Sequence, residues 1–333
     1  MNTTSDRKID HIKLAFESIS DYQDPRFNYE PLMAGHPTEE IIPVTQIGNK
    51  VSRIPLWVSS MTGGAQLAGT INHRLAEACG KFGMGMGLGS CRILLEDDRY
   101  FPDFDLRDKL GESAPFYANL GIAQIEEILD QGSTAAVEDL IKSLRADGLI
   151  IHVNPLQEWL QPEGDPIKYP PIDTIKRFLK TATFPVWVKE VGQGMGPQSL
   201  RSLIELPIQG IEFGAYGGTN FAKLETLRAS GATQNGLQLA RTGHTAVNMV
   251  NILLSLKDNH LPLLENKVFI ISGGIESFID GYYLMQKLGL KAIYARASAF
   301  LKHALVSTES IEEYIQDEKR GLMAAYAYLT LKS

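Results

Sequence analysis

The sequence has few cysteines, no excess of basic residues and no long apolar run. Its two cysteines, Cys79 and Cys91, are too few for a disulfide scaffold and match no zinc-ligand spacing, so we expect a reducing compartment. A net charge of -7 without a basic block gives no electrostatic basis for binding nucleic acid. No segment has the roughly 18 apolar residues of a membrane-spanning helix, and residues 1–11 lack a signal peptide's apolar core. These absences predict a cytoplasmic protein.

Strand-like and helical patterns alternate along the chain from residue 55 onward. We predict eight strands, at residues 55–59, 84–88, 115–118, 148–154, 185–188, 210–213, 268–271 and 292–294. This count over about 240 residues fits a (β/α)8 barrel, and an open doubly wound sheet is the alternative. The barrel is preferred because polar or glycine-rich segments follow strands along the whole chain, and a barrel brings all these ends to one rim.

The whole chain is predicted to form a single domain. Residues 1–49 form an N-terminal arm, irregular over 22–49, and the barrel covers about 50–305. A C-terminal helix occupies 306–333, with its amphipathic pattern over roughly 309–331.

The fourth predicted strand turns from apolar to polar along one face. Side chains alternate in a strand, so Ile150, His152 and Asn154 share a face. Gln157 and Glu158 follow in a predicted loop. Polar groups at the carboxyl end of a strand are typical of ligand sites in α/β proteins. Glu158 offers an oxygen ligand for Mg2+, provided that a substrate phosphate completes the coordination.

Other strand ends predict sites for a phosphate and for a flat ligand. The S-G-G run at 272–274, followed by a helix, and A-R-A at 295–297 offer backbone N–H groups to an anion. The M-T-G-G run at 61–64 and G-G-T at 217–219 allow close approach of a flat ring. Lys189 either reaches solvent or faces the pocket, where it would stabilise negative charge on an aromatic cofactor.

The N-terminal arm carries a small basic cluster. Arg7, Lys8 and His11 precede the apolar residues Ile12 and Leu14. The segment is either a solvated arm leading into a short amphipathic helix or an anion-binding arm that closes over a site.

Taken together, these segments resemble the type 2, FMN-dependent isopentenyl-diphosphate isomerases. The matching segments run in family order: R-K-I-D-H at 7–11, S-S-M-T-G-G at 59–64, G-S-C-R-I-L at 89–94, A-N-L-G at 118–121, H-V-N-P-L-Q-E at 152–158, V-K-E-V-G at 188–192, G-G-T-N-F at 217–221 and S-G-G-I at 272–275. The resemblance implies a TIM barrel that interconverts isopentenyl and dimethylallyl diphosphate. It also implies reduced FMN that takes part in proton transfer, Mg2+, NAD(P)H as reductant, and a homo-oligomer, a tetramer or larger.

The resemblance also assigns roles to individual residues. The flavin and its phosphate would be held by Met61, Thr62, Gly63, Ser90, Asn119, Lys189, Thr219, Gly273, Gly274, Ala295 and Arg296. The substrate would be bound by Arg7, Lys8, His11, Arg92, His152, Asn154 and Gln157. Gln157 and Lys189 would be catalytic, and Glu158 would hold the metal.

Two features of the sequence depart from the family pattern, and one further pair matches it. Glu276 stands where the family often has Arg, and R-T-G-H-T at 241–245 replaces a W-G-I-P-T run. Both put details of the phosphate site in question. Glu225 and Arg228 match a family pair, which we expect to be an internal ion pair without a catalytic role.

Two other functions are compatible with a flavin-binding barrel. An FMN-dependent oxidoreductase of the hydroxy-acid oxidase type would need a base, often a His after a late strand, which the sequence does not show. A non-catalytic flavin- or phosphate-binding protein would not need His152, Asn154, Gln157 and Glu158 together.

Overall fold

Parallel strands close into a barrel in the computed structural model, which describes residues 4–20, 22–60, 66–228 and 234–332. The eight barrel strands within these ranges are β1 (Leu56–Val58), β2 (Gly85–Gly87), β3 (Phe116–Gly121), β4 (Gly148–Val153), β5 (Val186–Glu190), β6 (Gly210–Glu212), β7 (Val268–Ser272) and β8 (Ala292–Ala295). Each pairs with the next, and β8 pairs with β1. The predicted barrel is confirmed, and the open sheet is excluded because the sheet has no edge.

Helices surround the barrel and connect its strands. In the described ranges they are α1 (Thr4–Leu14), α2 (Gln66–Phe82), α3 (Arg107–Leu110), α4 (Ile122–Asp130), α5 (Ala135–Leu144), α6 (Pro155–Leu160), α7 (Pro171–Phe178), α8 (Pro197–Ile204), α9 (Phe221–Arg228), α10 (Gln234–Leu239), α11 (Ala246–Glu265), α12 (Phe278–Leu288), α13 (Ala297–Ala304) and α14 (Thr308–Tyr328). Within the part of the chain described, none is both long and apolar enough to cross a membrane.

Alternation along the strands divides the apolar residues between two layers. Ile150 packs inside the barrel with Trp57 and Trp187, whose rings stack with centroids 5.6 Å apart. Leu149 and Ile151 point outward into the layer beneath the helices. The interior is therefore filled by large side chains, and ligands are confined to the rim at the carboxyl ends of the strands.

The N-terminal arm is more ordered than its composition predicts. Residues 22–49 were expected to be irregular, but Phe27–Tyr29 pairs antiparallel with Leu329–Leu331. A hairpin of Thr45–Ile47 and Lys50–Ser52 places the buried Ile47 in the interior cluster of the barrel. The hairpin thus closes the end of the barrel opposite the rim.

The pairing with the arm also corrects the end of the C-terminal helix. The helix was predicted to reach residue 331, but α14 ends at Tyr328. The last residues of the pattern, Leu329–Leu331, instead give their backbone hydrogen bonds to the arm strand, a partner that helical periodicity cannot reveal.

Candidate active site

A cavity of about 360 Å³ opens at the carboxyl ends of β1, β5, β6, β7 and β8. Several side chains and glycines predicted from the sequence to contact a flavin line its wall: Lys189, Thr219, Gly273, Gly274, Ala295 and Arg296. The barrel closure therefore brings together residues that are far apart in the sequence. Met61, Thr62 and Gly63, predicted for the same site, lie outside the described residues.

Two glycine-rich loops touch each other in the wall of this cavity. Gly273 has φ +88°, and a Cβ atom there would lie 2.0 Å from the carbonyl oxygen of Ala215. Gly274 has φ +69°, and its Cα would lie 3.1 Å from a Cβ on Gly217. No residue with a side chain fits this approach, so the loops present backbone directly to a ligand, as a phosphate or a flat ring requires.

The helix whose N-terminus lies at the cavity is not the one predicted. A helix was expected directly after S-G-G, but α12 begins at Phe278, and Asp280 accepts hydrogen bonds from the N–H groups of Glu276 (3.2 Å) and Ser277 (3.1 Å). A carboxylate thus already occupies that helix N-terminus. Instead α13 begins immediately after Arg296, and its first turn lines the cavity.

Arg296 is anchored by the C-terminal helix. Its guanidinium lies 2.6 Å from Glu318 and donates to the Tyr314 hydroxyl (3.0 Å) and to the carbonyl oxygen of Glu276. Its Nε is buried and has no hydrogen-bond partner among the described residues, and the same is true of Ser60 Oγ, also in the cavity wall. These two polar atoms, with the bare glycine backbone, fit a polar flat cofactor with a phosphate.

Glu276 stands in the part of the cavity wall where the sequence departs from the family pattern. Its side chain is exposed, and the residue lines the wall beside Arg296. The other sequence departure, at 241–245, does not line the cavity. It contacts the loop after β6, where Tyr216 N–H donates to the carbonyl of His244 (2.9 Å).

Lys189 is buried on the floor of the cavity and does not extend into solvent. Its Nζ donates to the carbonyl of Glu190 (3.1 Å). In the strand ladder it lies in register with His152 on one side and Glu212 on the other. Burial raises the pKa of Glu212 to about 7, and the positive charge of Lys189 opposes this rise. Glu212 was not predicted as a site residue, although an acid at the carboxyl end of a buried strand is a usable signal.

The ring of His152 is held neutral. Desolvation by the surrounding protein, and secondly the charge of Lys189, lower its pKa to about 3. Nδ1 lies 2.7 Å from Oδ1 of Asn119, whose Nδ2 donates to the carbonyl of Leu88 (3.1 Å). Asn119, predicted as a flavin ligand, thus positions His152 in this structure.

The residues after β4 form a connected polar cluster. The buried Asn154 donates to Glu158 Oε1 (2.6 Å) and to Gln157 Oε1 (3.2 Å), while its own Oδ1 lacks a partner in the described ranges. Gln157 and Glu158 lie on α6 and not in a loop, because Pro155 occupies the first turn of a helix, where its missing N–H is harmless. Gln157 Nε2 donates to Glu225 (3.2 Å).

The expected ion pair on α9 is present. Arg228 lies 2.8 Å from Glu225, and Glu225 is buried. The ion pair therefore anchors the carboxylate that accepts the hydrogen bond from the Gln157 amide.

Acidic residues of the rim pair with Arg92. Its guanidinium contacts Asp165 and lies 3.7 Å from Glu96. Asp165 N–H donates to Glu158 Oε2 (2.8 Å), which joins Arg92 to the β4 cluster. Ser90 is exposed and accepts a hydrogen bond from Arg92 N–H (3.4 Å).

The basic residues Arg7, Lys8 and His11 belong to the first helix of the chain. They are exposed on α1, and within the described residues no hydrogen bond or ion pair joins them to the cavity or to the β4 cluster. The described ranges also contain no group of three or more His, Cys, Asp or Glu side chains placed to bind a metal. Glu158 therefore remains a single carboxylate that needs further ligands from elsewhere.

A second, larger groove of about 1280 Å³ lies against α2 and α14. Several of its charges pair with each other, as in Lys81 with Glu312 (2.5 Å) and Lys319 with Glu39 (2.6 Å). The polar strand ends favour the smaller cavity as the site of chemistry.

Comparison with known proteins decides the family. No protein-family model matches the chain. An isopentenyl-diphosphate delta-isomerase of Rickettsia felis is 32% identical over 335 residues, covering 95% of this chain and 90% of the relative. The chain belongs to the isopentenyl-diphosphate delta-isomerase family. The isomerase of Chlorobium chlorochromatii is 30% identical, covering 96% of this chain and 92% of that relative. The family predicted from the sequence motifs, a family of enzymes, is thus confirmed.

Solved structures agree with the fold of this isomerase family member. The flavin-binding domain of baker's yeast flavocytochrome b2 matches with a TM-score of 0.60 at 13% identity, covering 90% of this chain and 72% of that one. A mandelate oxidase variant matches with a TM-score of 0.54 at 12% identity, covering 92% and 88%. Identities this low show the barrel fold alone.

Proposed function

We propose that this protein interconverts isopentenyl diphosphate and dimethylallyl diphosphate, using reduced FMN and Mg2+. The observation that carries the proposal is the register of β4 with β5. It sets His152, two residues before Asn154 of the polar cluster, beside Lys189, which lines the glycine-rich cavity. A diphosphate-binding cluster and a flavin-binding cavity therefore share one boundary. The relatives' name supports the substrate, and the flavoprotein barrels with the same fold support FMN.

The cavity residues would hold the cofactor. Backbone N–H groups of Gly273 and Gly274 and the guanidinium of Arg296 would bind the phosphate, with Ala295 and Thr219 beside them. Ser90, Asn119 and the segment 61–63 are proposed for the same cofactor. Lys189 would donate a hydrogen bond to the polar edge of the ring. When bound and reduced, the flavin supplies the proton-transfer chemistry at the allylic carbons without net redox change, and NAD(P)H would be the reductant.

The β4 cluster would hold the substrate. His152, Asn154 and Arg92 would bind the diphosphate, and the basic residues of α1, Arg7, Lys8 and His11, would add positive charge from outside the barrel. Glu158 would hold Mg2+ against the diphosphate, because the anion supplies the ligands that one carboxylate lacks. Gln157, fixed by Glu225, would lie near the reacting carbons.

Asp165 sets a condition on this arrangement. Arg92 is paired with Asp165 in this structure, so a bound diphosphate must compete with that carboxylate. The pair is partly exposed, so separating it costs little, about 1 kcal/mol or less.

An anaerobic assay with FMN, reductant, Mg2+ and isopentenyl diphosphate tests the proposal. We expect dimethylallyl diphosphate to form catalytically only when the flavin is reduced, with one reductant equivalent consumed per flavin. A reduced, FMN-replete preparation with Mg2+ that shows no turnover would contradict it. Consumption of reductant or oxidant in proportion to product would indicate the hydroxy-acid oxidase type instead. We also propose a homo-oligomer, which sedimentation of the FMN-bound protein would test.

A further inference from the structure

One carboxylate, that of Glu212, lies under the floor of the glycine-lined cavity. Its side chain has no solvent exposure. Ser59, from across the barrel, donates a hydrogen bond to Oε1. Oε2 has no partner of hydrogen-bond geometry among the residues that the structure describes. A fully buried carboxylate with an unpartnered oxygen is costly, and such a group is retained where a charge is needed.

Both strands that flank β6 direct a polar side chain toward this carboxylate. Lys189 on β5 lies in register with Glu212 and stabilises its charged form. The hydroxyl of Ser272 on β7 is close enough to favour the charged form as well. Its Oγ accepts from Gly214 N–H (2.9 Å), so its own proton is available to the carboxylate. Ser59, Lys189 and Ser272 all line the cavity, whereas Glu212 does not.

We propose that Glu212 is the positioning residue of the cavity floor. It holds the Lys189 ammonium and the hydroxyls of Ser59 and Ser272 in the arrangement that receives the polar edge of a flavin ring. The inference rests on the proposed function, because it takes the ring to be that of FMN. Glu212 acts through Lys189, since it does not itself reach the cavity.

The charged groups around Glu212 predict how this role depends on pH. Lys189 is the titratable group that faces it from β5, and the neutral His152 lies in register with Lys189 on β4. Glu190, also buried with a pKa raised to about 7 by desolvation, is held by backbone N–H groups of residues 192–194 on the other face of β5. Glu212 is therefore charged above about pH 7, where the nearby charge of Lys189 stabilises it, and on protonation below that pH the ammonium loses this counter-charge.

FMN binding to the full-length apoprotein tests this role without any assay of activity. Quenching of flavin fluorescence is measured at about pH 6 and about pH 8.5 for the wild type, for Glu212→Gln and for Glu190→Gln. Gln keeps an acceptor for the serine hydroxyls and removes the charge. Glu190→Gln is the matched control, because it neutralises a buried carboxylate of similar pKa on the opposite face. The FMN phosphate titrates alike in all three proteins, so only differences between them count.

We expect Glu212→Gln to bind FMN about tenfold more weakly at the higher pH, because the Lys189 ammonium loses the negative charge beside it. At the lower pH it should match the wild type within about twofold, because the protonated wild type then resembles the variant. Glu190→Gln should keep the wild-type pH dependence. Equal FMN affinity of Glu212→Gln and the wild type at both pH values would overturn the proposal, as would a Glu190→Gln variant that also loses the pH dependence.

A second variant covers the case in which Glu212→Gln does not fold. Glu212→Asp keeps the charge on a shorter side chain, so its FMN affinity should be weaker but should still change with pH. An FMN affinity of Glu212→Asp that does not change with pH would also overturn the role. If the wild type isomerises its substrate and Glu212→Gln has unaltered FMN affinity, the role of Glu212 alone is contradicted. If the wild type binds no FMN, both the role of Glu212 and the proposed function are contradicted.

Discussion

The imidazole Nδ1 of His152 lies 2.7 Å from Oδ1 of Asn119. Asn119 is held by its donation to the Leu88 carbonyl, so its oxygen faces the ring and Nδ1 carries the hydrogen. With its pKa lowered to about 3, mainly by desolvation, the ring is neutral over the physiological range. Nε2 then presents a lone pair, which cannot donate a hydrogen bond to the anionic oxygens of a diphosphate.

We therefore expect the binding of inorganic pyrophosphate to be coupled to proton uptake. A nearby anion favours imidazolium, so the pKa of His152 must rise on binding, and near pH 7 up to one proton is taken up. Titration calorimetry in buffers of different ionisation enthalpy measures this number directly. His152→Gln should bind with less uptake, and equal uptake in both proteins would show that another group takes the proton.

Gly273→Ala should be severely destabilising. The position has a positive φ, and the new Cβ would meet the Ala215 carbonyl at 2.0 Å, so we expect a loss of about 3 kcal/mol or more in the free energy of unfolding. Gly132→Ala is the matched control. Gly132 has φ +68° with no atom within 4 Å of a Cβ, and there about 1 kcal/mol is expected. Urea unfolding of both variants measures the difference, and equal losses would contradict the close loop contact.

Glu225→Ala should impair the chemical step more than cofactor binding. The carboxylate receives the Gln157 amide at 3.2 Å and is fixed by Arg228, so its loss frees the Gln157 side chain. We expect kcat to fall roughly tenfold to a hundredfold, as for a misplaced active-site group, with FMN affinity little changed. Glu225→Gln keeps an acceptor oxygen and should recover part of the rate. An unaltered kcat for Glu225→Ala would show that Gln157 needs no such support.

Glu158→Gln should weaken Mg2+ binding in the presence of pyrophosphate. The change removes the charge that a hard cation prefers. It retains a side-chain oxygen near Asn154 Nδ2, which lies 2.6 Å from Glu158 Oε1 in the wild type. Calorimetry with Mg2+ and pyrophosphate together is expected to show at least a tenfold weaker metal affinity. Glu163→Gln, on the exposed partner of Arg228, serves as the control, and equal weakening in both variants would indicate a general charge effect.

The strands of the barrel could be predicted because each is a short apolar run ending in glycine or polar residues. The run at 148–154 is an example: its alternation separates Ile150, which packs inside the barrel, from Leu149 and Ile151, which pack beneath the helices. The Lys189 side chain was left between two alternatives, because its neighbours His152 and Glu212 lie on adjoining strands that are distant in sequence.

The remaining differences arise from contacts made between distant segments. Residues 22–49 have an irregular composition, yet Phe27–Tyr29 gains a strand partner near the other end of the chain. Asp280 could be recognised as a cap only once the start of α12 at Phe278 was known. Local propensity carries no information about such partners.

The antiparallel pairing of Phe27–Tyr29 with Leu329–Leu331 has a consequence for biosynthesis. On the ribosome the arm emerges long before its partner strand has been translated, and a domain folds while the remaining chain is still being made. Arg26, whose carbonyl accepts from Lys332 N–H (2.9 Å), likewise waits for that segment. The arm strand can therefore pair only after the C-terminal segment has been made, whereas the contacts of Arg26 with Asp280 (2.8 Å) and of Phe27 with Tyr282 need only α12.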